Sequence, residues 1–317
     1  MGWRQKAFLR NAVAKLPHDL SAAADYELQR RLGSFKSFSP MSRLEAGVQT
    51  WQRLTDQGYE PAGKRFLEVG TGRAPFTPLA FWLMGAEHTV TIDLDPLVKD
   101  ELLNVGVSVM QDNAEEIRSM FGDLLDEDRL GEILAVRVPS SRELILQTGA
   151  IEYIAPVDAS ATGLPDNSVD FITSFTVFEH IPPSILHDIL VESTRVQAPG
   201  GAHAHFVDYS DHFAHQDSSI SHVNFLQYDD VAWQRLAGNR DTYVNRLRHD
   251  DMLALLAEAG HQIVSTDLSS HTGTAEALST LPVNRRFRGK DTEVLQTTAS
   301  WIISESPPES VEFRSAA

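Results

Sequence analysis

The chain has 317 residues, with 27 basic and 44 acidic side chains, and its formal net charge is −17. A negative field of this size repels phosphate backbones and anionic membrane surfaces, so it argues against nucleic acid or a membrane as the main partner and favours a small molecule. The absence of cysteine excludes disulfides, thiolate metal sites and cysteine nucleophiles.

The N-terminus offers no sign of export. Residues 1–6 carry early positive charge but lack the apolar core and the small-residue cleavage site of a secretion signal. No uninterrupted apolar run reaches the length that a membrane span needs. We therefore expect a cytoplasmic protein.

The first 60 residues read as mostly helical. Helices are predicted over Ala22–Leu32 and Ser42–Leu54, with a loop carrying two aromatics between them. The second helix places its apolar residues on one face, namely Leu44, Val48, Trp51 and Leu54. Two roles stay open for this segment: packing against a sheet, or forming a helical cap (residues 1–60) over a substrate pocket.

A glycine-containing stretch, residues 65–75, organises the rest of the chain. Its apolar start, Phe66 to Val69, is typical of a strand buried on both faces, and Gly70 and Gly72 permit a sharp turn close to a ligand. A helix is predicted over Pro78–Met84, and the free N–H groups at its start would point back at the turn. This arrangement indicates a nucleotide-type site.

The second predicted strand, starting at Thr89, ends in acidic residues. Asp93 lies 23 positions after Gly70, close to the spacing at which a βαβ nucleotide fold places a carboxylate on the ribose hydroxyls. The alternative is an aspartate that caps the following helix. Residues 97–149 then form a predicted insertion with a helix over Ala114–Leu125, and the sequence leaves open whether it dimerises the protein or covers the active site.

The remaining predicted elements alternate between strands and helices. In chain order they are a strand over Ile151–Pro156, a strand over Phe171–Phe175, a helix over Ile185–Val196, a turn at Ala198–Gly201, a strand over Ala202–Asp208, a helix over Met252–Ala259, and strands over His261–Leu268 and Thr298–Ser304.

Several motifs resemble those of class I S-adenosylmethionine (SAM) dependent methyltransferases. Glu68 precedes a Gly-Thr-Gly turn, an Asp158-Ala159 pair follows the third strand, a Leu-Pro-Asp-Asn-Ser phrase (164–168) precedes the fourth, and Glu-His-Ile (179–181) follows it. The resemblance covers about residues 60 to 305. It departs from the family's pattern in the stretch 196–201, where the turn of a Leu-Lys-Pro-Gly-Gly phrase is kept without its lysine, and Ala74 stands where the longer dinucleotide fingerprint has a third glycine.

The resemblance implies a fold and a cofactor. The fold would be an α/β, Rossmann-like, seven-stranded and mostly parallel sheet flanked by helices, spanning residues 61–305, with a flexible tail over 306–317. Asp158 would accept the adenine amino hydrogen, while the Ala159 N–H meets a ring nitrogen. The implied SAM contacts are Glu68, Gly70, Thr71, Gly72, Asp93, Leu94, Asp158, Ala159, Ser174 and Phe175.

Histidine is concentrated after the fifth predicted strand. Five of the chain's twelve histidines lie between residues 203 and 222, together with three aspartates. Three interpretations stay open: a general base, a divalent metal site, or a polar loop that bonds internally. His203 and His205 alternate on the strand and are expected to be wall residues, so Asp208 and His212 are the preferred catalytic candidates.

Four further residues are candidates near the acceptor. His180 follows the fourth strand, where it is either a packed residue at the start of the next helix or catalytic. Tyr209 and Asp211 belong to the loop after the fifth strand. Arg246 either binds a substrate carboxylate or pairs with a loop aspartate.

The function implied is methyl transfer from SAM to a small-molecule acceptor, by O- or N-methylation of the kind found in secondary metabolism or sugar modification. One alternative is a non-methylating SAM reaction, such as an intramolecular attack that releases methylthioadenosine. The other is a non-catalytic, nucleotide-binding partner protein. A homodimer is compatible with all three hypotheses.

Overall fold

The computed structural model describes residues 2–17, 26, 27, 30, 38–239 and 242–306. The strands are β1 (Arg65–Val69), β2 (His88–Ile92), β3 (Ile151–Ile154), β4 (Val169–Phe175), β5 (Gln197–Asp208), β6 (Gln262–Ser269) and β7 (Ala299–Glu305). The helices are α1 (Trp3–Val13), α2 (Met41–Asp56), α3 (Phe76–Leu83), α4 (Asp100–Asp112), α5 (Ala114–Phe121), α6 (Glu127–Leu134), α7 (Arg142–Thr148), α8 (Pro183–Val196), α9 (Asp230–Ala237), α10 (His249–Glu258), α11 (Thr274–Thr280) and α12 (Thr292–Gln296). None of the described helices is both long and apolar enough to cross a membrane.

All seven strands form one sheet in the order β3-β2-β1-β4-β5-β7-β6. Strands β1 to β5 pair in parallel, and β7 runs antiparallel to both β5 and β6. The predicted seven-stranded, mostly parallel α/β sheet is therefore confirmed. The strand order reverses between β1 and β4, and open α/β sheets bind ligands in the crevice beyond the carboxyl ends of the strands at such a point.

The core on one face of the sheet is aromatic. Phe66 on β1 stacks on Phe81 of α3 with ring centroids 4.5 Å apart, and Trp51 of α2 stacks on Phe66 at 6.0 Å. The predicted second helix is thus present as α2, and its Leu44 and Leu54 are fully buried. The helix predicted over Ala22–Leu32 lies mostly outside the described residues.

The predicted insertion consists of four helices, α4 to α7, and not only the one that the sequence predicted. These helices bury Val107, Ile117 and Leu130 in the same core as α2 and α3. Gly106 allows the close approach, because a Cβ there would lie 2.0 Å from the Phe76 ring. The insertion therefore enlarges the central core, and its role in dimerisation stays a prediction.

Two local predictions are wrong. The expected turn over Ala198–Gly201 belongs to β5, where Gln197 already pairs with Val169 and the residues before Ala202 bulge out of register with β4. Glu179 and His180 do not start a helix but form a 3₁₀ turn, Phe178–His180, and α8 begins only at Pro183. Consecutive prolines hold the connecting residue Pro182 extended, since a residue before proline disfavours the helical conformation.

The two glycines of the turn after β1 have different constraints. Gly70 has φ of +89°, and a Cβ there would lie 2.5 Å from a methyl group of Val177. Gly72 has φ of +65°, but no atom lies within 4 Å of its hypothetical Cβ. Position 70 therefore requires glycine because of its positive φ and because of its packing against Val177. Position 72 requires glycine because of its positive φ alone.

We expect Gly70→Ala to reduce the free energy of unfolding by about 2 to 6 kcal/mol, because backbone strain adds to overpacking against Val177. Gly72→Ala, the matched control, should cost only about 1 to 2 kcal/mol of backbone strain. Urea unfolding of both variants measures the difference. Equal losses would contradict the packing constraint at Gly70.

Three histidines are buried on β5 and directly before β6, and they stay neutral. The rings of His203 and His261 lie 4.4 Å apart, and the His205 Nδ1 lies 2.9 Å from the Ser174 hydroxyl. Burial lowers the pKa of all three imidazoles, to about 3 for His205. His203 and His205 are therefore interior residues, in keeping with the expectation that they are wall residues.

Acid should destabilise the fold through these groups. Since their pKa is lower in the folded chain than in the unfolded chain, the unfolded state binds more protons below about pH 6.5. The free energy of unfolding is expected to fall with decreasing pH by up to about 1.4 kcal/mol per pH unit for each histidine. His205→Asn should make this slope shallower between pH 6.5 and 5 in urea titrations, whereas the partly exposed His187→Asn serves as control. An unchanged slope in His205→Asn would contradict this explanation.

Candidate functional site

A cavity of about 600 Å³ opens at the carboxyl ends of β1, β2 and β4. Nine of the ten residues predicted to contact the cofactor line it, namely Glu68, Gly70, Thr71, Gly72, Asp93, Leu94, Asp158, Ala159 and Phe175. The tenth, Ser174, does not: its side chain is buried and bonds His205. Side chains alternate along a strand, so when Phe175 faces the cavity Ser174 faces the opposite side.

Glu68 ties the glycine turn to the next strand. The Thr91 hydroxyl donates a hydrogen bond of 2.6 Å to the Glu68 carboxylate, and the Thr71 hydroxyl lies 2.7 Å from that of Thr91. Burial raises the pKa of Glu68 to about 7. The carboxyl group thus lies on the cavity wall and also fixes the conformation of the turn.

Asp93 connects the same turn to the end of β2. Its Oδ2 accepts the Gly72 N–H at 2.9 Å and its Oδ1 accepts the Asp95 N–H at 3.2 Å. Each oxygen retains a further lone pair for a ligand. Burial also raises the pKa of this carboxyl group.

The loop after β3 closes another side of the cavity. The Val157 N–H donates to the Asp93 carbonyl at 3.0 Å, which brings this loop against the end of β2. The exposed Asp158 carboxylate accepts the Ser160 N–H at 2.8 Å through Oδ1. The predicted Asp158-Ala159 pair therefore shares one wall with Asp93.

Other residues of the wall, among them Phe38 and Arg43, were not predicted from the sequence. Phe38 and Arg43 come from the segment before β1, and the Arg43 guanidinium lies 5.5 Å from the centre of the Phe175 ring. Thr176 has φ of +55°, and its N–H donates to the Phe206 carbonyl at 3.0 Å. Arg43 lies on an amphipathic helix among exposed residues, so the sequence carried no signal of its role. The positive φ of Thr176 is equally invisible in the sequence.

His180 lies on the wall shared by this cavity and a second one of about 40 Å³. The other residues that line the second cavity are Arg10, His212, Phe213, Gln216, Trp233, Thr242 and Val244. The N-terminal α1 contributes Arg10, so α1 covers the far side of the smaller cavity. Solvent reaches His180 through the cavities, although protein surrounds the ring.

A buried carboxylate without a hydrogen-bond partner lies beside His180. Glu179 is 3% exposed, and neither of its carboxylate oxygens has a partner among the residues that the structure describes. Burial raises the pKa of Glu179 well above its usual range. The His180 Nδ1 lies 2.9 Å from the Tyr243 carbonyl oxygen, and the rings of His180 and His212 are 5.0 Å apart. Burial, and then the neighbouring His212, lowers the pKa of His180.

Asp208 and His212, predicted as catalytic residues, do lie together. The Asp208 Oδ2 is 3.5 Å from the His212 Nε2 and 3.3 Å from the His215 Nε2. Burial alone would raise the pKa of Asp208, but the two neighbouring imidazoles outweigh it and hold the pKa well below the usual range. The side-chain hydrogen bond to Asp208 in turn raises the pKa of His215.

The three residues predicted to bind the acceptor line neither cavity. The buried Tyr209 hydroxyl lies 2.9 Å from the Ser300 hydroxyl. Asp211 accepts the Phe213 N–H at 3.0 Å and the Asn224 amide at 2.8 Å, so it fixes the loop.

Arg246 is buried and pairs with an aspartate, which was one of the two alternatives. Its guanidinium bonds Asp230, at the start of α9, and donates to the Tyr228 carbonyl at 2.8 Å. Arg246 lines neither cavity, so the alternative in which it binds a substrate carboxylate gains no support from the structure.

Three groups of side chains within the described part of the chain are close enough to hold a metal ion. They are Glu179, His180 and His212; Asp208, His212 and His215; and His215, His222 and His271. In each group, one ligand atom of every residue lies within 4.8 Å of the others. The first two share His212, and the third is at the surface.

Comparisons with known proteins agree with this description. Residues 137–204 match the family model described as a methyltransferase domain. No match was found among the curated proteins.

Similar solved structures include a candidate sarcosine dimethylglycine methyltransferase from Galdieria sulphuraria (15% identity, TM-score 0.45, covering 82% of this chain and 85% of that one). A candidate methyltransferase from Bacillus halodurans has 14% identity and a TM-score of 0.44 over 82% of this chain and 99% of its own. The 4+2 cyclase SpnF has 17% identity and a TM-score of 0.44 over 83% of this chain and 82% of its own.

These structural similarities are too low to assign an activity, so the assignment depends on the matched family, the strand order and the residues at the cavity. Together these identify an enzyme that uses SAM as its methyl donor. Residues 137–204 belong to a methyltransferase domain.

Proposed function

We propose that the protein transfers the methyl group of SAM to a small-molecule acceptor bound where the large cavity meets the small one. The observation that carries this proposal is the position of His180 on the walls of both cavities. A cofactor in the large cavity would present its reactive end toward His180. An acceptor in the small cavity would meet it there.

The polar groups that line the large cavity match the hydrogen-bonding groups of the cofactor. The free lone pairs of Asp93 suit the two hydroxyls of a ribose, and a carboxylate can accept from both. Asp158 would accept the adenine amino hydrogen, and the Ala159 N–H would meet a ring nitrogen. Arg43 is a cation on the cavity wall beside Phe175 and suits the methionine carboxylate. The absence of any atom near the hypothetical Cβ of Gly72 leaves room for close approach to the backbone.

Bound SAM supplies an electrophilic methyl group, whose bond to sulfur breaks as the acceptor's lone pair forms the new bond, with the electron pair remaining on sulfur. The protein contributes alignment and exclusion of water, which together provide most of the rate in a displacement of this kind. His180 and His212 line the small cavity and are proposed to contact the acceptor, and Asp208 is proposed to act through His212. The small volume of the second cavity favours a compact acceptor group such as a hydroxyl or an amine.

We expect Asp93→Ala to weaken SAM binding by about tenfold to a hundredfold, because a charge-assisted hydrogen bond contributes about 1.5 to 3 kcal/mol. Isothermal calorimetry measures this affinity directly. Glu152→Ala is the matched control, because it removes the same charge from the exposed β3 residue outside the cavity. Wild-type protein without measurable SAM affinity, or equal affinity in wild type and Asp93→Ala, would contradict the cofactor assignment at this site.

Product analysis distinguishes methyl transfer from the two alternatives. With SAM and a panel of small hydroxyl and amine acceptors, we expect S-adenosylhomocysteine and a methylated acceptor in equal amounts by mass spectrometry. Methylthioadenosine as the product would contradict methyl transfer and support attack on another carbon. Binding of SAM without turnover of any acceptor would support the non-catalytic partner.

A further inference from the structure

The buried carboxylate of Glu179 lacks a counter-charge. It is 3% exposed, and neither oxygen has a hydrogen-bond partner among the described residues. An ionised carboxylate buried without a partner costs several kcal/mol or more, so Glu179 ionises only where a cation reaches it. The structure places two imidazoles there: one ring nitrogen each of His180 and His212 lies within 4.8 Å of a Glu179 oxygen.

Hydrogen bonding fixes the tautomer of His180. The Tyr243 carbonyl oxygen can only accept, so the His180 Nδ1, 2.9 Å away, must donate. The neutral ring then carries its free lone pair on Nε2. A ring that donates one N–H to a backbone carbonyl and offers the other nitrogen is the usual state of a histidine bound to a metal.

His212 is held in a similar way. Its Nε2 lies 3.5 Å from the Asp208 Oδ2 and has no well-aligned hydrogen-bond partner in the described part of the chain. Asp208 is fixed in turn by the Ser210 N–H at 2.7 Å. A carboxylate therefore restrains the orientation of the second imidazole, as second-shell carboxylates do in metal sites.

The donor set indicates the class of ion. Two imidazoles and one carboxylate with open positions are typical of divalent first-row transition metals, whereas Mg²⁺ and Ca²⁺ prefer oxygen ligands. A dication would supply the positive charge that Glu179 lacks. The adjoining cavity of about 40 Å³ leaves space beside His180 and His212 for an acceptor atom to complete the coordination.

We propose that Glu179, His180 and His212 bind a divalent transition-metal ion at the junction of the two cavities, and that this ion binds the acceptor. The role in acceptor binding rests on the proposed methyl transfer, whereas the ion site itself does not. Of the interpretations left open by the sequence for His212, the structure thus favours metal ligand over general base.

The test is a Co²⁺ titration of chelator-treated protein, without SAM, followed by calorimetry and by visible absorption. Wild type is expected to bind one equivalent with the absorption of nitrogen and oxygen ligation. Glu179→Gln and His212→Ala should each weaken binding by about a hundredfold or more, since loss of a ligand exceeds the tenfold to hundredfold cost of losing a second-shell partner. We expect the circular dichroism spectrum and the SAM affinity to be unchanged in both variants, which would show that they fold.

His222→Ala is the matched control, because it disrupts the surface group of His215, His222 and His271 and leaves the proposed ligands intact. Co²⁺ binding that is lost in His222→Ala but retained in Glu179→Gln would place the ion at the surface and overturn the proposal. No Co²⁺ binding to wild type would overturn it as well. SAM binding and product formation are measured separately, so failure of the metal site is distinguishable from failure of the proposed function.

Discussion

The hydrogen bond from the Gly72 N–H to Asp93 is the constraint on which the cofactor site depends. It joins the turn after β1 to the end of β2. The hydrogen bond from Thr91 to Glu68 restrains the same turn. The parallel pairing of β1 with β2 and β4 makes this possible, because it brings the carboxyl ends of these strands to one edge of the sheet. The polar groups that face the cavity are thus positioned by the same contacts that stabilise the fold.

The acceptor end of the site depends on an asymmetry between two carboxylates. Asp208 has two imidazoles and a backbone N–H as partners, and these hold its pKa low despite burial. Glu179 is buried nearby, no aligned donor among the described residues bonds its oxygens, and burial raises its pKa well above the usual range. A dication bound by Glu179 and the two histidines would give the Glu179 carboxylate the partner that Asp208 already has. The proposed ion would therefore both stabilise a buried carboxylate and bind the acceptor.

How much the sequence could predict depends on whether the signal was local. The strands and the glycine turn have local patterns, and the strand bounds agree with the structure to within two residues except at the end of β2 and the start of β5. Arg43 and Glu179 depend on tertiary packing: one lies on a helix that reads as an ordinary amphipathic surface, and the other looked like an exposed helix start. Arg246 was ambiguous for the same reason, since its aspartate partner is 16 positions away at the start of α9.

The most direct test is a crystal structure of the protein with S-adenosylhomocysteine and Co²⁺, recorded with anomalous diffraction. We expect the adenine at Asp158, the ribose on Asp93, the sulfur end directed toward His180 and an anomalous peak between Glu179 and the two histidines. A nucleoside bound without contact to Asp93, or with its sulfur directed away from His180, would contradict the proposed cofactor site.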